Sequence, residues 1–339
     1  MKVPFKLIIK AVTQTGLRYA GGIKMKSTVL NIFKEKAIWI VFIILFIAFS
    51  LANPRFLSSN NLFTIARQVS MLGIASIGMT FVILIAGIDL SVGSLITLVN
   101  IVAAYLMVKM GFGMVTAVIL ALIMSMLVGI LNGFLISSIG IPAIIATFAT
   151  QIVFEGASYL ICGGTPIYGF DERFKVIGQG YLGPVPVPVI IMIVCFAAGS
   201  FILNKSYFGR YFYAVGGNEE AAKLSGIRVG RTKYLVYALS GLFAGLAGIV
   251  MLSRTNSAQP TAGMGYEFDV ITCVVLGGVS ISGGFGKMSN VVAGVLIIGI
   301  LTNGMVLLNV STYMQMIVKG VVLALAVGFD SLQKKRALT

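Results

Sequence analysis

The chain has 339 residues, of which 58% are hydrophobic and only 10% charged, and its formal net charge is +15. Soluble domains run at about 45–50% apolar and about 25% charged, so a chain of mean hydropathy +1.02 has too few charges to clothe a water-exposed surface. It is also far too apolar to be disordered, which leaves an integral membrane protein of several helical spans.

The first 36 residues carry eight lysines or arginines against one acid, Glu35. This stretch is too long and too basic for a removed signal peptide and reads as a cytoplasmic leader to a first span. A bilayer core needs about 20 apolar residues per helix. Apolar segments follow at roughly 37–52, 62–86, 91–108, 114–136, 141–161, 187–203, 233–252, 268–279, 291–308 and 314–329. The eighth is too short to cross alone, so it is tilted, broken or extended into its glycine-rich flanks. We expect an all-α membrane protein of about ten spans, with a single transmembrane domain over 37–330 and a basic tail over 331–339.

Charge tests the topology. With the N-terminus inside, the inner segments hold the eight basic residues of the leader, six between 204 and 233, Lys287, and the tail's Lys334, Lys335 and Arg336. The outer side receives Arg55, Arg67, Lys109, Arg173, Lys175 and Arg254, while Lys319 falls inside the last span. Eighteen against six satisfies the positive-inside rule and puts both termini in the cytoplasm for an even number of spans. The positive charge is thus an orientation signal and implies no nucleic-acid partner. The absence of histidine from the sequence excludes a His-based triad, a histidine-held zinc and haem ligation; Cys162, Cys195 and Cys273 match no metal or disulfide spacing.

Two long loops remain, 162–186 outside and 204–232 inside. The inner one contains Gly217, Asn218, Glu219, Glu220, Ala221, Ala222 and Gly226. Asn218 is a good N-cap, the glutamates occupy the first turn where the helix dipole favours them, and Gly226 supplies a C-cap. The result is a helix of about two turns, either a solvated surface helix or a docking helix for a cytoplasmic partner.

Polar residues inside the apolar segments are costly and therefore informative. Thr147, Gln151 and Glu155 recur every four residues in the fifth span and share one face. They line a polar pathway or hydrogen-bond to a neighbouring helix. Asp89 ends the second span, and Ser91 is placed to cap the third. Glu267 and Asp269 begin the eighth span at its outer end, for capping, gating or contact with an external receptor. Asn303 lies in the ninth span; Gln315 and Lys319 share a face of the last, where Lys319 needs a partner, a wet cavity or a route to the interface. Gly241, Gly245 and Gly248 form a small-residue stripe for close helix packing. The turns around 84–93 and 275–284 echo each other, with Gly87/Gly278, Ser91/Ser282 and Gly93/Gly284 in register.

Several stretches together carry a resemblance. Gly78-Met79-Thr80, Ala86-Gly87-Ile88-Asp89-Leu90-Ser91-Val92-Gly93-Ser94, Ala214-Val215-Gly216-Gly217-Asn218-Glu219, Ser257-Ala258-Gln259-Pro260-Thr261-Ala262-Gly263 and Tyr313-Met314-Gln315-Met316-Ile317-Val318-Lys319 occur in order. The chain resembles the permeases of ribose-type monosaccharide ABC transporters from about residue 53 to 330. The resemblance implies a type II importer fold similar to the cobalamin importer, in the bacterial plasma (inner) membrane. It also implies a second permease copy as homo- or heterodimer, an ATP-binding cassette subunit, and a periplasmic or extracellular sugar-binding protein. By the same resemblance 218–226 is the coupling helix, and the fifth and tenth spans line the pathway. No ATP site is expected on this chain: Gly286-Lys287 is followed by Met288, which fails the phosphate-loop pattern. No cofactor is expected either. The competing reading is an ion-coupled secondary transporter or channel, with Asp89 and Glu155 relaying protons or binding sodium.

Overall fold

A computed structural model of the chain describes residues 38–338, with side chains as far as residue 332 at the C-terminal end. The leader 1–36 lies outside the described residues, as do the side chains of the basic tail beyond that point. In chain order the helices are α1 Ile38–Ala52, α2 Ser59–Leu84, α3 Val92–Val108, α4 Met114–Phe134, α5 Ala143–Cys162, α6 Glu172–Gln179, α7 Val187–Lys205, α8 Tyr207–Gly217, α9 Glu219–Leu224, α10 Val229–Thr255, α11 Tyr266–Leu276, α12 Met288–Leu307 and α13 Thr312–Leu338.

Ten of these helices, α1–α5, α7 and α10–α13, answer in order to the ten apolar segments of the sequence. Among the described residues seven are long and apolar enough to cross a bilayer: α2, α4 with its terminal π turn Leu135–Ile139, α5, α7, α10, α12 and α13. α1 and α3 are shorter. α11 has only 11 residues, a rise of about 16 Å at 1.5 Å per residue.

Packing is set by small residues. α10 crosses α4 so closely that a Cβ on Gly241 would lie 2.3 Å from the Ser125 carbonyl oxygen, and one on Gly129 2.1 Å from that of Tyr237. The stripe on α10 thus meets a second stripe on α4, the arrangement that lets backbones approach in lipid. Asn100 on α3 adds an interhelical bond, its Nδ2 donating to the Gly248 carbonyl at 2.9 Å. From Val69 to Leu84, α2 is buried without interruption, and α10 and α12 are mostly buried. α5, α7 and α13 turn Ile144, Phe148, Ile152, Val194, Phe201, Met316 and Leu325 outward. Apolar side chains on the outside and satisfied backbone within are what a bilayer demands.

Helices α6 and α8 and a short hairpin were not legible as such. α8 occupies the start of the inner loop, read from the sequence as irregular. In the 162–186 loop, α6 and a two-stranded hairpin, β1 Tyr181–Leu182 with β2 Val185–Pro186, fold down onto α10. There Ser253 Oγ donates to the Phe174 carbonyl and accepts from the Gly178 N–H at 2.7 Å.

Candidate functional site

Between α2 and α3 the chain leaves helical geometry, and its polar groups are collected by neighbours. Asp89 is fully buried; Oδ1 accepts from the Ser91 N–H at 3.0 Å and the Ser91 hydroxyl at 2.5 Å, and Oδ2 from the Ser240 hydroxyl of α10 at 2.7 Å. Asn132 of α4 donates to Ser91 Oγ at 2.9 Å and accepts from Thr150 of α5 at 2.8 Å. Ser91 therefore holds the N-cap position of α3 without capping it, because its hydroxyl is engaged by Asp89 and Asn132. Thr147 is also fully buried; its Oγ1 accepts from the Leu90 N–H at 3.1 Å and donates to the Ala143 carbonyl at 2.8 Å. A buried non-helical turn survives only where neighbouring groups satisfy its backbone in this way.

The other two members of the α5 stripe look elsewhere. Gln151 Nε2 donates to Glu267 Oε1 at 3.2 Å, and Glu155 joins them around a small cavity with Gly93, Thr97 and Gly263. The sequence places Glu267 at the outer end of the eighth span, whereas the structure sets it level with the middle of α5. The reason is the segment 256–265, which turns back against α3 after α10. Gly263 donates to Thr97 Oγ1 at 2.9 Å and lies against the Gly93 carbonyl. α11 accordingly starts level with the middle of α5 and is only 11 residues long.

α13 is fastened to α11 by polar groups. Lys319 Nζ donates to Asp269 Oδ2 at 2.6 Å, so that a partner, one of the three options the sequence left for Lys319, is the one found. Near the other end of α13, Asp330 accepts from the Ser280 hydroxyl at 3.1 Å and the Ile281 N–H at 3.2 Å. Gln315 donates to the Val310 carbonyl at 2.9 Å, and Asn303 exchanges amide hydrogen bonds with Asn61 of α2. Lys319→Met is expected to destabilise the protein by about 2 kcal/mol, since a removed partner strands a half-buried carboxylate. The double variant with Asp269→Asn should recover most of that loss. Thermal unfolding in detergent over the full double-mutant cycle checks it, and additive losses would refute the pairing.

The short helix over 218–226 is capped as its sequence implies. Asn218 Oδ1 accepts from the Ala221 N–H at 2.9 Å and opens α9. At the other end, Gly226 at φ +84° lets its N–H reach the Lys223 carbonyl and the Ile227 N–H reach that of Ala222, a Schellman closure. Ala222 is buried, Glu219 pairs with Lys233 at 2.8 Å, and Leu224 is 88% exposed beside exposed Glu220.

Immediately before α9, the two echoing turns meet each other and the end of α8. The Gly284 N–H donates to the Leu84 carbonyl at 2.9 Å. A Cβ on Gly216 would lie 1.7 Å from that same Leu84 oxygen and 2.6 Å from Gly284 N. Tyr213 of α8 donates to the Gly286 carbonyl at 2.7 Å. Burial pushes its phenol above the usual value, so it stays a donor at neutral pH.

The structure thus gathers Gln151, Glu155 and Glu267 into one site, and Asp89 and Ser91 with Thr147 into another. Asn303 and Gln315 stand apart from both. Sequence reasoning passed over Ser240, Asn132, Thr150, Asp330 and Gly216. Asn132 and Asp330 carried a signal, a polar group within or just beyond an apolar run; Gly216 carried none beyond its neighbour Gly217.

Residues 61–327 match the family described as branched-chain amino acid transport system / permease component. The chain is 46% identical over 296 residues to the ribose import permease protein RbsC of Bacillus subtilis, spanning 87% of this chain and 91% of that one. It is 44% identical over 301 residues to RbsC of Escherichia coli K12, covering 88% and 94%. With the L-arabinose transport system permease protein AraH of Escherichia coli K12 it shares 38% identity over 332 residues, 94% and 97% of the two chains. No solved structure matches the chain.

Proposed function

Because the chain belongs to the branched-chain amino acid transport system / permease component family, we propose that it carries a monosaccharide across the membrane as the permease subunit of an ATP-driven importer. It is a multi-pass membrane protein and works as a transport component, not a catalyst. Relatives similar to it over nearly full length are named for ribose and L-arabinose, both aldopentoses, and a pentose is the cargo we assign. An external binding protein delivers the sugar to a pair of permease copies of type II importer fold. Two ATP-binding cassette subunits drive them from the cytoplasm of a bacterial inner membrane. The ten apolar helices make ten crossings, α11 together with its re-entrant lead-in serving as one, and both termini are cytoplasmic.

One observation carries this reading. A rigid, doubly capped helix, α9, projects from the basic face and is joined through Gly216 to the turns at 84–87 and 283–286. A push on α9 therefore reaches the Asp89 turn, and from it α4, α5 and α10, without passing through a flexible loop. ATP does no chemistry on this chain; binding and hydrolysis in the partner must favour one packing of these helices over another. Glu220→Lys and Gly226→Val are each expected to cut ATP-driven uptake at least about tenfold, which corresponds to about 1.4 kcal/mol of coupling free energy. Sugar affinity of the binding protein should be untouched. Uptake in proteoliposomes containing the partner subunits tests this. Full uptake by both variants would overturn the coupling role. Proton- or sodium-driven uptake by the chain alone would favour a secondary transporter.

A further inference from the structure

Glu267 is 3% exposed, and its Oε2 has no hydrogen-bond donor among the described residues, although Oε1 accepts from Gln151. A buried carboxyl oxygen without a donor forfeits about 1–3 kcal/mol, so a donor entering the space beside it is favoured. It lies on the wall of a cavity of about 20 Å³, and a volume of roughly 10–15 Å³ is enough for one water-sized group. Gly93 and Gly263 clear that space: a Cβ on Gly93 would sit 2.1 Å from Glu267 Oε2, and one on Gly263 2.0 Å from the Gly93 carbonyl. The half-exposed Glu155 stands at the rim.

We propose that this pocket recognises hydroxyl groups of the translocating sugar, and that the Gln151–Glu267 hydrogen bond is the closed form of the recognition site. The inference rests on the sugar-import reading above. A hydroxyl is both donor and acceptor. One sugar hydroxyl can donate to Oε2 of Glu267, and as Gln151 swings away a second takes its place at Oε1 while accepting from Gln151 Nε2. The latch therefore opens without leaving any of its polar atoms unpaired, provided the cargo is a neutral polyol. A simple apolar solute, which has neither donor nor acceptor, cannot make that exchange. In the conformation described here there is room for one hydroxyl only, so the site is occluded. It widens as the segment 256–265 parts from α3.

The test is uptake of ribose and of its 2-, 3- and 5-deoxy analogues by the complete importer in proteoliposomes, at saturating loaded binding protein. Rates are compared as ratios within each variant, so that loss of folded protein cancels. Wild type is expected to move at least one deoxy analogue about tenfold more slowly than ribose. In Gln151→Leu and Glu267→Gln that ratio should fall to within about twofold. Glu155→Gln, at the half-exposed rim, should narrow it less and serves if the buried variants do not fold. Unchanged ratios in transporting variants would overturn the pocket while leaving sugar import intact. A wild-type importer that moves none of these sugars would overturn the import reading and the pocket with it. Uptake that gains its specificity from a sodium or proton gradient would reassign the carboxyl pair to a cation and overturn the proposal.

Discussion

Replacing Asp89 with alanine is expected to destabilise the folded protein by about 3 kcal/mol, the sum of three membrane hydrogen bonds worth about 0.6–1.7 kcal/mol each. The carboxyl group accepts from the Ser91 N–H, the Ser91 hydroxyl and the Ser240 hydroxyl, all buried. Without it the three donors have no other acceptor on the turn, and no water reaches them to compensate. Asn132 and Thr150, which hang from Ser91 in the same chain of bonds, lose their anchor as well. Asp89→Asn should cost much less, about 1 kcal/mol, because the amide oxygen still accepts from Ser91 and the Ser240 hydroxyl can rotate to accept. Thermal unfolding in detergent ranks the two. Equal stability of Asp89→Ala and wild type would mean that the turn is held by packing alone.

Gly216→Ala is expected to cost nearly as much, about 3 kcal/mol, at the upper end for an overpacked site. The added methyl would meet backbone rather than a yielding side chain: Leu84 O at 1.7 Å and Gly284 N at 2.6 Å, the two atoms that bond the echoing turns to each other. Relief requires α8 to withdraw or the turns to separate, and either motion cuts the path from α9 to the membrane interior. Uptake should therefore fall even in the fraction that remains folded. The adjacent Gly217→Ala supplies the comparison. A Cβ there meets nothing within 4 Å, so its stability should stay within about 0.5 kcal/mol of wild type. Indistinguishable behaviour of the two variants, in unfolding and in uptake, would show that the junction transmits nothing.

The legible parts of this protein were those governed by local chemistry. All ten apolar segments became helices, because transfer of a run of apolar residues into lipid is decided residue by residue. The caps of α9 were readable because Asn218 and Gly226 each act on backbone within a turn of themselves. α8 was missed for the converse reason. Its residues lie in what reads as a long loop, and only the structure shows Phe212 and Val215 turned inward while Tyr207 and Tyr211 stay out.

Sequence alone therefore determined that the chain belongs in a membrane, where its apolar helices run, and where the short acidic-tipped helix α9 begins and ends. These follow from transfer free energies, charge and capping, which sum over neighbours along the chain. Only the tertiary structure decided the depth of Glu267, set by Gly263 settling between Gly93 and Thr97, and the pairings Asp89 with Ser240, Gln151 with Glu267 and Lys319 with Asp269. Each joins residues 50 to 151 positions apart. A polar side chain in an apolar span announces that it needs a partner, but which one it finds depends on how closely glycine-lined backbones can approach. That is a property of packed surfaces, which no single segment contains.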